Sequence, residues 1–289
     1  MIVFYKNENQ SHHVRLIEHL YRSYPSKKKS LVKTSEFFKN VKLNQAAKCI
    51  VFAGIIRGEG NIYQYCIRNN KRFLYMDHAY INRGYSSDPE EEWMRITDSR
   101  FSWNVFEEQN PDRFDNFFSE KIPLIKGYRN NDTAKKILIL PPSLATQFIF
   151  PESKVWLQKV TSFLAKNTNR DIVIREKPIQ TKLTPRNMVV EAVKYKHERT
   201  IEEELADAYA VITYNSAVVV QAAMMGIPVH SHENGCGAPI SFNIEDIDNL
   251  PPEPPRRRWL HQLVHHQFRT TEMIDGSIWP MIFKDEKID

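Results

Sequence analysis

Ala206-Asp207-Ala208-Tyr209-Ala210-Val211-Ile212-Thr213-Tyr214-Asn215-Ser216-Ala217-Val218-Val219-Val220-Gln221-Ala222-Ala223-Met224-Met225-Gly226-Ile227-Pro228-Val229 decides the fold. A buried apolar strand, Ala210 to Thr213, ends in two polar residues. A helix over Ser216 to Met225 follows, and Gly226 turns the chain into another strand, Pro228 to His230. A strand apolar on both faces that leads through a helix into a second strand reads as a parallel βαβ unit. Asn215 suits the N-cap, and the free NH groups of the first turn, with the helix dipole, then form a seat for an anion such as a diphosphate.

The same alternation extends upstream. Lys136-Ile137-Leu138-Ile139-Leu140 reads as a strand, a helix runs through Val155, Leu157, Val160 and Phe163, and Asp171 to Arg175 forms the next strand. A helix over Ile201 to Ala206 leads back to the central stretch. The amino-terminal half has its own series: strand Ile2 to Tyr5, helix His13 to Tyr24, strand Cys49 to Ile55, and strand Phe73 to Met76 after a glycine-bearing turn. Periodicity weakens from Asn104 to Asn131, which places a lobe boundary near residue 125. Pro251-Pro252-Glu253-Pro254-Pro255 forms a stiff spacer, and Trp259 to Phe268 reads as a helix with Leu260, Val264 and Phe268 on one face. The expected organisation is α/β with two Rossmann-like lobes and a cleft between them: 1–125, 126–250, and a spacer with helical tail over 251–289.

Composition fits this reading. The 289 residues suit two cores, and 42% hydrophobic residues with 16 Phe and 12 Tyr exclude a disordered chain. Cys49, Cys66 and Cys236 are odd in number and widely spaced, which fits reduced packing thiols rather than a disulfide framework. Met1 to His13 lacks the apolar core of a secretory signal, so a cytoplasmic protein without a membrane anchor is expected. The net charge of +5 is mild, but cations cluster in Lys27 to Lys29, Lys33 to Lys48, Lys135-Lys136 and Arg256 to Arg258. Such clusters suit a polyanionic partner or solvated faces.

Three further features carry chemistry. Ile172-Val173-Ile174-Arg175-Glu176-Lys177-Pro178 ends a strand in two cations, where Arg175 offers a planar fork to a phosphate and Lys177 a point charge. Arg57, Gly58 and Glu59 form a polar turn after a strand, while Asp77 and His78 end another, followed by Arg83. A carboxylate or imidazole there can serve as general base toward a hydroxyl, and alternation along the strand lets one of Asp77 and His78 face a substrate. Ser231 and His232 follow the last strand and line the anion seat. Gly58 and Gly60 do not complete a dinucleotide fingerprint, no Walker A sequence occurs, and His261 with His265 lacks a third ligand. Neither a cofactor nor a metal is therefore expected.

The Thr213 to Val229 block resembles the donor-site motif of GT-B glycosyltransferases that make capsular polysaccharide, transfer Kdo or transfer glycerol phosphate. It matches at Thr213, Asn215, Ser216, Gly226, Pro228 and Val229, and carries Gln221 where many relatives have an acidic residue. The Arg175-Glu176-Lys177-Pro178 strand end resembles the basic strand end of the same families. Arg57, the stretch Tyr75 to Tyr80 and the tail with Arg258-Trp259-Leu260, Gln267, Gly276 and Trp279 are similar to small bacteriophage glycosyltransferases that modify hydroxymethylpyrimidines in DNA. These resemblances imply a nucleotide-sugar co-substrate held by Arg175, Lys177, Thr213, Asn215, Ser216, Gln221, Ser231 and His232 without a metal. They imply transfer to a hydroxyl, first of all of hydroxymethylated DNA, with Asp77 or His78 as base and Arg57, Gly58, Glu59 and Arg83 on the acceptor side. The alternatives are a capsular or lipopolysaccharide acceptor and a non-catalytic nucleotide- or DNA-binding module.

Overall fold

The computed structural model describes residues 1–55, 58–81, 91–107, 109–119, 127–128, 134, 136–183, 189–194 and 197–284. In chain order the elements are β1 (Ile2–Lys6), α1 (Ser11–Ser23), β2 (Lys29–Lys33), α2 (Val41–Ala46), β3 (Cys49–Ala53), α3 (Glu59–Arg68), β4 (Phe73–His78), β5 (Trp93–Asp98) and α4 (Asp112–Phe117). They continue as β6 (Lys136–Leu140), α5 (Leu144–Ile149), α6 (Trp156–Asn167), β7 (Asp171–Ile174), β8 (Ile179–Leu183), β9 (Val189–Lys194), α7 (Ile201–Ala206), β10 (Ala208–Thr213) and α8 (Val218–Met224). The last are β11 (Val229–Ser231), α9 (Arg256–His265), β12 (Gln267–Arg269), α10 (Thr270–Asp275) and α11 (Ile278–Phe283).

Two compact units share the chain. Met1–Phe101, Leu183–Val190 and His266–Asp289 form the first; Ser102–Lys182 and Glu191–His265 form the second. The first crossing thus falls at Phe101, earlier than residue 125, and the tail divides between the units instead of standing apart.

Unit 1 holds a six-stranded sheet in the order β12-β5-β4-β3-β1-β2. Strands β2, β1, β3 and β4 are parallel, and β5 runs antiparallel to both its neighbours, β4 and β12. Because β2 and β3 leave β1 on opposite sides, a topological switch point lies at the carboxyl ends of β1 and β3. The core packs Phe4, Leu16, Leu20, Val51 and Met76 with Phe268, Met273 and Trp279 of the tail. Trp279 is 1% exposed, and burial of an indole this size is worth about 4–6 kcal/mol before entropy is counted. Helical spacing over Trp259 to Phe268 breaks at His266, beyond which Phe268 enters this core from strand β12.

Unit 2 holds a parallel sheet in the order β11-β10-β6-β7, with β8 and β9 paired separately. Its switch point lies at the carboxyl ends of β6 and β10, because β7 follows β6 to one side and β10 returns on the other. Ile137, Ile139, Ala210 and Ile212 form the floor of a core with Trp156, Val160, Leu164 and Phe242. Helix α8 is shorter than the sequence pattern, starting at Val218 with Ala217 as N-cap instead of Asn215. No described helix is long and apolar enough to cross a membrane.

Candidate functional site

The unit 2 switch point is built by the turn after β10. Thr213 is fully buried, and its hydroxyl donates to the Leu140 carbonyl at 2.9 Å while accepting from the Ser216 amide at 3.0 Å. It therefore ties β10 to β6 and bends the chain outward, a positioning role that leaves the hydroxyl no direction toward a ligand. Ser216 Oγ accepts from the Val218 amide at 3.3 Å, so Ser216, just before the Ala217 N-cap, satisfies the first helical NH. Asn215 instead reaches across to Thr146 Oγ1, with its amide nitrogen at 3.3 Å. Ser143 caps α5 by accepting from the Thr146 amide at 3.2 Å, so the β6 and β10 loops meet through polar side chains. Thr146 and Ser143 escaped the sequence reading; a Ser with a Thr three residues on, just after a buried strand, is the cap signal that marks them.

The β11 loop closes the opposite side. His232 stacks on Tyr214, with ring centroids 4.2 Å apart and planes 14° apart. Tyr214 donates to Glu152 Oε1 at 2.8 Å and accepts from Asn234 at 3.2 Å, which fixes the pair of rings. Burial pushes the His232 imidazole below its ordinary value, against the pull of Glu233 and Glu152. Burial likewise lowers His230, whose Nδ1 lies 2.9 Å from the Phe242 carbonyl. Ser231 is buried, its amide bonded to Ser241 Oγ at 2.7 Å and its hydroxyl pointing to the His232 carbonyl at 3.3 Å. A Cβ on Gly235 would lie 2.2 Å from Ser231 Oγ and 2.9 Å from the Tyr214 carbonyl, so this loop packs only with glycine there.

Arg175, at the β7 end, faces elsewhere. Arg175 is 9% exposed, donates to the Arg199 carbonyl at 2.9 Å and lies 3.9 Å from Glu204 Oε1. Among the described residues no hydrogen bond joins it to the Thr213 to Ser216 turn. Glu204 is shared with Lys136, 2.5 Å away, and Glu202 accepts from Gln221 Nε2 at 3.1 Å. An acidic residue at position 221 would confront Glu202, which accounts for the glutamine without reference to a ribose. Lys177 is exposed at the same strand end.

In unit 1 Asp77 is held in place. Its Oδ2 accepts from Arg95 at 2.9 Å and from the Tyr75 hydroxyl at 2.8 Å, and its Oδ1 accepts from the His78 amide at 2.8 Å. Strand register sets this, because Asp77 lies directly opposite Arg95 in the β4–β5 pair. Burial works to raise the carboxyl, yet the Arg95 guanidinium, His78 and the Tyr75 hydroxyl outweigh it and hold Asp77 well below the usual carboxylate range. A carboxylate so strongly stabilised is a weak base.

The unit 1 switch point is lined by other residues. Asn7, just past β1, hydrogen-bonds Glu59 at the start of α3, and both side chains are buried. Gly58 caps that helix at φ +123°, and Gly54 sits at φ +72° with His13 against it. A Cβ on Gly54 would lie 2.9 Å from His13 Cε1. Glu59 was legible in the sequence; Asn7 and His13 were not, because only strand order identifies their neighbourhood as a switch point. Arg57 and Arg83 lie outside the described residues. Among the described residues no three His, Cys, Asp or Glu side chains converge as metal ligands.

No protein-family model matches the chain, and no curated protein matches it. Solved structures do. The KpsC β-Kdo 2,7 transferase of Thermosulfurimonas dismutans is similar over 96% of this chain and 99% of its own, with a TM-score of 0.50 and 10% identity. The KpsC β-Kdo 2,4 transferase of the same organism is similar over 93% of this chain and 91% of its own, with the same TM-score and identity. The chain therefore has a glycosyltransferase fold.

Proposed function

We propose that this chain is a GT-B glycosyltransferase that moves a sugar from a nucleotide-activated donor to a saccharide acceptor of the capsular polysaccharide or lipopolysaccharide class. The observation that carries the reading is the Tyr214-Asn215-Ser216 turn at the β6–β10 switch point, where doubly wound sheets seat their ligands. Asn215, Ser216 and His232, each partly exposed around that turn, contact the donor, and Lys177 meets the charge of the departing diphosphate. Arg175 acts by holding the β7 corner to the residues before α7 and by its charge. In unit 1, His78 takes the proton of the attacking hydroxyl, and the anionic Asp77 fixes that strand end through the His78 backbone amide. Gly58 and Glu59 belong to the acceptor side.

A saccharide acceptor is supported by the two Kdo transferases of similar fold. Several cations that a duplex would use are engaged within the protein. Arg256 is 1% exposed and bound to Glu253, Lys33 is paired with Glu8 at 2.7 Å, and Lys136 with Glu204. Lys29 spends its ammonium on the Tyr21 and Tyr24 carbonyls.

The test is incubation of the full chain with a panel of nucleotide-activated sugars, Kdo included, and either capsular oligosaccharides or hydroxymethylated DNA, read by mass spectrometry. A sugar-mass increment on the oligosaccharide is expected, reduced about 10²–10³-fold in an Asn215→Ala, Ser216→Ala double variant. An increment on DNA alone overturns the acceptor class. The absence of transfer together with no calorimetric binding of any donor overturns the enzyme reading.

A further inference from the structure

We propose that the crossover from β2 to β3, residues 34–48, is a docking surface for a membrane of anionic phospholipid. Its centre is a pair of neighbouring aromatics, one buried and one exposed. Phe37 is 3% exposed, wedged edge-on against Tyr5 and Tyr65 at 5.3 Å from each ring. Phe38 lies edge-on over Phe37 at 5.3 Å and is still 69% exposed, and Val41 just beyond is 49% exposed. These are not side chains of a frayed segment. The Asn44 amide nitrogen donates to the Phe37 carbonyl at 3.0 Å, the Tyr5 hydroxyl bonds Asn44, and Asn40 donates to the Glu36 carbonyl at 2.9 Å. A fixed, outward-facing aromatic is expensive in water and useful at a surface whose outer layer is apolar beneath charge.

The charges around it supply the second half. Lys39, Lys42 and Lys48 are exposed on the same crossover, whose sole acid is Glu36. The Lys48 amide bonds the Met1 carbonyl and the Ile2 amide bonds the Lys28 carbonyl, both at 2.9 Å, so exposed Lys28 and Lys48 flank the start of β1. Lys39 follows Phe38 directly and Lys42 follows Val41, three residues apart and so within about one Debye length in physiological salt, which lets these two lysines act together. An apolar pair with lysines beside it matches an acyl boundary overlaid by lipid phosphates. A second copy of the chain would present the same lysines and repel it. Nucleic acid would satisfy the lysines and leave Phe38 and Val41 in water.

This inference goes beyond the transferase reading, and its test needs no sugar transfer. Full-length protein is sedimented with vesicles of phosphatidylglycerol and phosphatidylcholine, and with phosphatidylcholine alone, at physiological salt. Binding to the anionic vesicles is expected. A Lys39→Gln, Lys42→Gln variant should bind them about 25-fold more weakly, near fivefold per lysine. Phe38→Ser should weaken binding several-fold by itself, and Phe38→Ser with Val41→Ser further, with circular dichroism and melting temperature unchanged because both side chains are exposed. Absence of wild-type binding to anionic vesicles overturns the proposal. So does full binding by Phe38→Ser when the lysine variant has lost it, which marks a general polyanion contact such as DNA. Concentration-dependent self-association abolished by Phe38→Ser overturns it in favour of a second copy.

Discussion

Replacing Asp77 by asparagine separates its two possible roles. The Arg95 side chain is 9% exposed and faces the rings of Tyr80 and Phe101 at 5.1 and 5.6 Å, so water cannot take over for the lost carboxylate. Breaking a fully buried ion pair costs about 3–5 kcal/mol. Asp77 keeps 27% side-chain exposure, and the screening this allows reduces the expected loss to about 2–3 kcal/mol. At roughly 2–4 °C per kcal/mol, the melting temperature at pH 7 should fall by about 4–12 °C. The sign with pH follows from the lowered carboxyl. Its contribution is fully present above the ordinary value near ~3.9 and is lost as pH falls through the depressed folded value. The gap between wild type and Asp77→Asn should thus stay constant above pH ~5 and narrow below pH ~4. Calorimetric scans of both proteins across this range, with Arg95→Met as the partner in a double-mutant cycle, provide the measurement. A gap under about 1 °C at pH 7, or additive single and double effects, would refute the ion pair and restore Asp77 as a free base.

Three other outcomes are expected. Arg256→Met should cost about 3–5 kcal/mol in urea denaturation, because the 1%-exposed guanidinium serves Glu253 and the Ala223 and Gly127 carbonyls; Arg258→Met should stay within about 0.5. Acidification should destabilise unit 2, since His230 and His232 are lowered by burial: their neutral forms favour the fold above pH ~6.5, and that contribution is lost as pH falls toward the folded values, a slope that His232→Asn should flatten in thermal melts. Gln221→Glu should set two carboxylates against each other where the amide now lowers Glu202, costing about 0.5–1 kcal/mol at pH 7 and recovering below pH ~5, as read from melting temperature against pH.

Much of the fold was legible because it is written in local burial. β3, β6 and β10 are apolar along their length, and a run buried on both faces marks a helix-covered parallel strand wherever it occurs. β5 and β12 were missed. Trp93-Met94-Arg95-Ile96-Thr97-Asp98 carries a buried arginine that interrupts its apolar signal. Leu260, Val264 and Phe268 are spaced by four, which a helix and a strand both satisfy, so spacing could not report the break at His266. In the site, Asn215 and Ser216 were found as a polar pair after a strand, but α8 starts later, after Ala217, because Thr213 holds the Ser216 amide and the β6 carbonyl of Leu140.

From the sequence alone followed the parallel α/β class, the location of the turn after Thr213, and the strand ends that carry polar groups. Each is a statement about neighbours along the chain, where alternation of apolar and polar side chains is set by solvent contact. Tertiary structure alone decided which charges are free. Arg95 meets Asp77 through the register of two antiparallel strands, Arg256 meets two distant carbonyls, and Arg175 meets the residues preceding α7. It also decided that Phe38 faces water while Phe37 does not. Charge state and exposure depend on what the fold brings within a few ångströms, and that proximity has no signature in the order of residues.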